Sequence, residues 1–244
     1  MNNQTQNIEQ INERLQELEK NITISQILTL IEQLCSEGEI GEESLLQFLI
    51  NRRTISKKKI VLLDGLIFDK LYKTEYINIT KKLNYYFNTG IVSLNQNLKL
   101  NYQPLQDLLI NKNFKEADKL TQKYLCQLAG LDKSNKRQWL YFTDIQIIPG
   151  EDLLIIDLLW QLYSQGKFGF SIQRQIWINK EGKWNDFWKT IGWTRENVPC
   201  RYPNDFTWTI NAPKGHLPLF NQLRGMQVLA SLFNHIVWQH KNCE

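Results

Sequence analysis

Apolar residues recur at helical intervals through most of the chain, and this periodicity constrains the fold more than any other feature. Ile8, Ile11, Leu15 and Leu18 follow i, i+3, i+7, i+10, the spacing of one helix face. Ile24, Ile27, Leu28, Ile31 and Leu34 repeat the stripe, and Gly38 and Gly41 are expected to break it. Leu45 to Ile50, Ile60 to Leu71 and Tyr76 to Tyr86 supply three more segments. Five short amphipathic helices with short loops predict a small all-α bundle, or a pair of HEAT-like hairpins, over residues 1–86. Arg52, Arg53, Lys57, Lys58 and Lys59 form a basic cluster between two of these helices. A solvated surface is the expectation for it, ahead of a docking face for an acidic partner.

All eight tryptophans lie between Trp139 and Trp238. That shift in composition predicts a second domain over residues 102–244. Residues 87–101, with Gly90, several Asn and no helical period, read as the linker. In the second half, Leu105 to Leu128 trace two helices or one bent one, stopped at Gly130. The run EDLLIIDLLWQLYSQG begins with two acids, which favour a helix N-terminus, and continues nearly all apolar; it predicts the core helix of this domain. Phe168 to Trp177, Trp184 to Ile191 and Phe220 to Trp238 add further helix. FTWTI (206–210) alternates as a strand would, but it stands alone, so the fold class is all-α.

Residues with catalytic chemistry are sparse. The three histidines fall at 216, 235 and 240, and no HExxH, GxSxG or Walker loop is present. His216, in APKGHLP, predicts a structural hydrogen bond rather than catalysis. Asp157 sits inside LLIIDLLW, where a buried charge must be paired or hydrogen-bonded. A carboxylate tying a neighbouring loop or helix end to the core is favoured over a catalytic acid. The four cysteines are far apart, with no CxxC pair, which argues against zinc and against a disulfide framework. No apolar run approaches the roughly 18 residues of a membrane span. The N-terminal segment, rich in Glu, looks like neither a secretory signal nor a transit peptide, so the protein is expected to stay where it is made. A net charge of +4 does not by itself call for nucleic acid.

The aromatic residues are more informative. Trp139, Tyr141, Phe142, Phe168, Phe170, Trp177, Trp193, Tyr202 and Trp208 crowd the second domain, many beside turn residues in WLYFTD, GKFGFS, GWTREN and CRYPND. Some belong to a core. The others, borne on loops, suit a ligand surface for a flat, wide, apolar molecule. Stacking of single-stranded nucleic acid is the competing use of such a surface.

The runs FKEADKLTQKYLCQLAG, RQWLYFTDI, EDLLIIDLLWQLYSQGKFGFSIQRQIW, IGW and FTWTINAPKGHLPLFNQLRG closely resemble the fourth genomes-uncoupled protein family, whose members are porphyrin-binding regulators of magnesium chelatase. The likeness covers residues 100–240 in unbroken order, and FGFSxQ followed by APxGHLP is its most specific part. The extra N-terminal helices resemble the cyanobacterial and algal-plastid members. The resemblance implies an all-α binding domain shaped like a cupped hand. It implies binding of protoporphyrin IX and magnesium-protoporphyrin IX and no catalytic cofactor. It also implies stimulation of the chelatase through its large porphyrin-binding subunit, without catalysis by the chain itself. Residence in the plastid stroma, or in the cytoplasm of a cyanobacterium, goes with it, as does peripheral association with plastid membranes.

Carried over residue by residue, the resemblance implies that Phe142 and Ile145 line the apolar face and that Phe170 supports it from the next helix. Asn221 and Arg224 would meet the polar edge, with Gln227 and Val228 on the same segment. Gln227 stands where the best-known cyanobacterial pattern has a second Arg, so Arg224 is expected to carry more of the propionate recognition. Tyr202 stands where that pattern has a Trp on a mobile loop, which keeps an aromatic face. The alternatives are a scaffold that docks the chelatase without ligand, a single-stranded nucleic-acid binder, and an enzyme of tetrapyrrole chemistry.

Overall fold

The computed structural model describes residues 2–20, 22–94, 97–131, 137, 139–196, 198–219 and 226–240. Two compact units divide the chain, Met1–Ser93 and Leu94–Glu244. Both are helical. The only strands among the described residues are a two-residue antiparallel pair in the second unit. No helix among them is long and apolar enough to cross a membrane.

The first unit comprises α1 (Asn2–Leu18), α2 (Ile24–Ser36), α3 (Glu39–Ile50), a π-helical turn (Asn51–Ile55), α4 (Leu62–Leu71) and α5 (Ile77–Phe87). The apolar stripes face inward, with Ile11, Leu18, Ile31, Leu34, Leu45 and Leu49 buried. The outer ends of two stripes, Ile8 and Ile24, are exposed. Thr23 starts α2 with a capping box: its hydroxyl accepts from the Gln26 amide at 3.3 Å and the Gln26 side chain accepts from the Thr23 amide at 2.9 Å. Helix α3 is the hub, touching α1, α2, α4 and α5.

Gly38, with φ of +72°, ends the α2 segment as expected, but Gly41 does not break a helix. It lies inside α3, buried, where a Cβ would fall 1.8 Å from the Leu34 carbonyl oxygen. The missing side chain lets α3 approach α2 closely, a use of glycine that overrides its low helix propensity.

The basic cluster is not a uniform solvated surface. Arg52 is buried; its Nε donates to Asp64 at 2.8 Å and its Nη1 to Glu19 at 3.3 Å. Lys58 pairs with the same Glu19 at 2.6 Å, and together these cations hold the Glu19 carboxyl below the usual carboxylate range. Asp64 also accepts the Val61 amide at 2.9 Å, so one buried carboxylate caps α4 and neutralises Arg52.

The second unit opens with the hairpin α6 (Gln103–Ile110) and α7 (Phe114–Leu128), two helices separated by a turn at Lys112. Short α8 (Phe142–Ile145) leads into α9 (Gly150–Tyr163), followed by α10 (Phe170–Asn179), α11 (Trp184–Thr190), the β1–β2 pair (Thr194–Arg195 with Val198–Pro199), α12 (Met226–Phe233) and α13 (Val237–His240). Core helix α9 buries Leu153, Ile156, Leu159 and Trp160. Trp160 stacks on Phe114 at 6.0 Å between ring centroids and donates its indole N–H to Thr121 at 3.0 Å. A second aromatic cluster joins α10, α11 and α12 through Trp177, Trp184, Phe187 and Phe233. Within the stretch 87–101, Ile91 and Val92 are buried, the Lys99 amide donates to Asp152 at 2.9 Å and the Asn101 carbonyl accepts from Tyr124 at 2.7 Å. FTWTI forms no strand. The Thr207 amide and the Trp208 indole are used in loop hydrogen bonds instead, to His216 and to the Pro203 carbonyl.

Candidate functional site

The FGFSxQ and APxGHLP motifs are two halves of one clamp. The Gly169 amide donates to the Leu217 carbonyl at 3.0 Å, and the Gly215 amide donates back to the Lys167 carbonyl at 2.8 Å. The Gln173 side-chain amide then donates to both the Gly215 and Pro218 carbonyls, at 2.9 and 2.8 Å. Lys167 reaches the Ile210 carbonyl at 2.6 Å. Backbone groups that a buried loop would otherwise leave unpaired are thus satisfied by α10 and the turn before it. His216 belongs to the same clamp: Nδ1 bonds the Ile191 carbonyl at 2.7 Å and Nε2 accepts the Thr207 amide at 3.1 Å. Burial pushes its pKa down. His235 likewise bonds the Ile148 carbonyl through Nε2 and accepts the Val237 amide through Nδ1, and burial lowers its pKa too. Both rings are occupied by backbone. Among the described residues no group of three or more His, Cys, Asp or Glu side chains is placed to hold a metal ion.

Beside this clamp, α8 packs on α12, and the Ser231 hydroxyl donates to the Phe142 carbonyl at 2.9 Å. The pair brings together four of the sequence-predicted residues. Phe142 is 49% exposed and Gln227 is exposed, whereas Ile145 and Val228 are buried at 0% and 4%. Ile145 was expected to line a face, but it has no exposed surface. Phe170 is also fully buried, at the start of α10, which contacts α12. Further exposed apolar groups, Tyr141 and Ile147 around α8 and Met226 on α12, lie in the same elements. Tyr202 is half-exposed on the loop after β2, edge-on to Trp208 with ring centroids 5.8 Å apart. Asn221 and Arg224 lie outside the described residues.

Two residues that sequence reasoning passed over shape this region. Arg137 lies over the Tyr141 ring, 4.3 Å from its centroid, and pairs with Asp144 at 3.0 Å; Asp144 also accepts the Tyr141 amide at 2.6 Å. Asp118 is buried on α7 and accepts the Leu219 amide at 2.6 Å. Its position was readable from helical spacing, since it shares a buried face with Phe114, Ala117, Thr121 and Leu125.

Burial pushes the Asp118 carboxyl up to about 8, against a smaller lowering by the Leu219 amide. The folded protein therefore holds this proton up to about pH 8, while an unfolded chain releases it near about pH 4. More protons are bound in the folded state across that window, so this group's stabilisation falls as pH rises through it. Asp118→Asn keeps an acceptor for Leu219 and cannot ionise. Relative to wild type it is expected to gain about 2 kcal/mol between pH 6 and pH 8, short of the limit of about 1.4 kcal/mol per pH unit because the folded carboxyl itself begins to ionise toward about pH 8. Thermal melts of both proteins at the two pH values check this; parallel pH profiles would refute it.

Comparison with known proteins follows the same division of the chain. Residues 95–236 match the GUN4-like family, and residues 1–88 match a family described as an ARM-like repeat domain, GUN4-N terminal. The protein ycf53 of Pyropia yezoensis is 44% identical over 234 residues, covering 95% of this chain and 98% of its own length. The chloroplastic tetrapyrrole-binding protein of Arabidopsis thaliana is 37% identical over 143 residues, which is 55% of this chain and 54% of that protein. The structure of GUN4 from Chlamydomonas reinhardtii superposes with a TM-score of 0.54 at 36% identity, covering 60% of this chain and 96% of that one.

Proposed function

The chain belongs to the GUN4-like family, and from that premise we propose that it binds tetrapyrroles of the chlorophyll pathway without transforming them. The observation that carries the reading is Phe142. A phenylalanine left 49% exposed among the described residues, on a short helix fixed to α12 through the Ser231–Phe142 hydrogen bond, offers a rigid apolar surface. Tyr141 and Met226 extend the apolar character of α8 and α12, and Asn221 and Arg224 precede α12 in the sequence. A porphyrin face buries well against such a surface at about 25 cal/mol per Å2, and its anionic edge suits Arg.

In this proposal the ligands are protoporphyrin IX and magnesium-protoporphyrin IX, held by residues 102–244. Phe142, Tyr202, Asn221, Arg224 and Gln227 contact them, and Ile145, Phe170 and Val228 support from behind. The chain hands its ligand to magnesium chelatase by way of the large porphyrin-binding subunit and activates it. It works in the plastid stroma, or in the cytoplasm of a cyanobacterium, at times against the membrane surface.

The test is a titration of the tryptophan emission with each porphyrin, run beside a chelatase assay. Quenching with micromolar or tighter midpoint is expected, and a single-stranded oligonucleotide should leave the emission unchanged. Phe142→Ala should weaken binding about tenfold, the equivalent of about 1.4 kcal/mol of lost apolar contact. Arg224→Ala should weaken it roughly ten- to a hundredfold with an unchanged melting temperature, as for a lost charge-assisted hydrogen bond. Absence of quenching by both porphyrins in the folded full-length protein would overturn the reading.

A further inference from the structure

We propose that Arg137 is a second cation of the tetrapyrrole site, and that its guanidinium Nη1 recognises a carboxylate on the edge of the ligand. The inference rests on the porphyrin reading above and deepens it. Two contacts fix this guanidinium, and one of its edges is left over. Its face lies on the Tyr141 ring at 4.3 Å, and Nη2 pairs with Asp144 at 3.0 Å. Nη1 is shielded from solvent and has no hydrogen-bond acceptor among the described residues. Buried charged donors are paired in native proteins almost without exception, so an orphan of this kind marks the place of an absent acceptor.

Position and charge select the acceptor. The Arg137 guanidinium lies against the half-exposed Tyr141 ring, the neighbour of half-exposed Phe142, so it stands beside the apolar groups of the proposed ligand surface. A planar guanidinium matches a carboxylate better than any other side chain does. Asp144 is already committed to two donors, the Tyr141 amide and Nη2 of Arg137. On α12 the exposed Gln227 is neutral, so that helix offers no charge at this position. A ligand with two carboxylates needs a second cation, and Arg137 is already held in place by Tyr141 and Asp144, which lowers the entropy lost on binding.

The experiment uses the full-length chain with Arg137→Gln and Arg137→Lys. The probes are deuteroporphyrin IX and its dimethyl ester, in which both carboxylates are neutralised. Arg137→Gln should weaken binding of the diacid about tenfold, the loss of one charge-assisted hydrogen bond, while ester binding stays within about twofold. Arg137→Lys, which keeps the charge and loses the planar fork, should fall between. Equal weakening of diacid and ester would assign Arg137 to holding Tyr141 in place and overturn the inference. So would unchanged diacid affinity in a variant whose parent binds. A parent that binds neither probe overturns the porphyrin reading and this inference with it.

Discussion

Arg52→Ala is expected to destabilise the first unit by about 3–5 kcal/mol, the range for stranding one member of a buried ion pair. Asp64 is 0% exposed, and Arg52 supplies its only charged partner among the described contacts. Without the guanidinium, the carboxylate keeps the Val61 amide at 2.9 Å and little else to offset burial. Glu19, at 42% exposure, hydrates and retains Lys58, so it contributes little to the loss. Two controls separate this account from a general sensitivity of the basic segment. Lys57→Ala, at an exposed position, should change stability by no more than about 0.5 kcal/mol. The double replacement Arg52→Met with Asp64→Leu should recover most of the loss, because it removes both charges together. Chemical denaturation of the three variants reads the result. Arg52→Ala unfolding with the wild-type midpoint would show that the pair adds nothing.

The contrast between Arg52 and Lys57 also shows where the sequence stops being informative. Both stand in one run of cations, and local composition treats them alike. The difference comes from Asp64, twelve residues on, and Glu19, thirty-three back, which only the packed helices bring together. Helix positions were readable because the buried stripe has the helix's own period. Gly41 was misread because a glycine that breaks a helix and one that lets two helices touch are the same letter. FTWTI alternates as a strand does, but its Thr207 amide and Trp208 indole bond to His216 and to the Pro203 carbonyl, and it pairs with no strand among the described residues.

The candidate site divides in the same way. Phe142 was legible as an aromatic beside turn residues, and its exposure agrees with that. Ile145 was expected on the apolar face, yet three-dimensional packing buries it, which no linear pattern reveals; Phe170 was expected only as a support, and it is buried. Asp118 is hidden in the polar stretch FKEADKLTQ, and Arg137 gains its interest only from the ring and carboxylate that fold against it. The clamp formed by Gln173 gives a physical reason for the FGFSxQ and APxGHLP motifs, for which the sequence supplied only resemblance.

Asp157→Ala is expected to cost about 3 kcal/mol and to weaken porphyrin binding in the same variant. The carboxylate is fully buried, and it accepts the Ser171 amide at 2.9 Å and the Gln161 side-chain amide at 2.6 Å. Ser171 lies in the first turn of α10, where amide donors have no partner within their own helix and a negative charge is favoured. Gly169 makes the approach possible: with φ of +131° it takes a conformation open to glycine, and a Cβ there would sit 2.8 Å from the Asp157 Oδ1. Truncation leaves the Ser171 amide unpaired, worth about 1–3 kcal/mol, while the Gln161 side-chain amide keeps only the Ser171 hydroxyl at 2.8 Å. The damage extends to the ligand because α10 also carries Gln173, whose amide holds the Gly215 and Pro218 carbonyls. Asp157→Asn keeps an acceptor for Ser171 and should lose only about 1 kcal/mol, with affinity nearly intact. A catalytic acid would behave the other way, losing function in the Asn variant at an unchanged melting temperature. Melting and porphyrin titration on the same two proteins decide the matter, and an Asp157→Ala protein that melts with wild type would end the capping account.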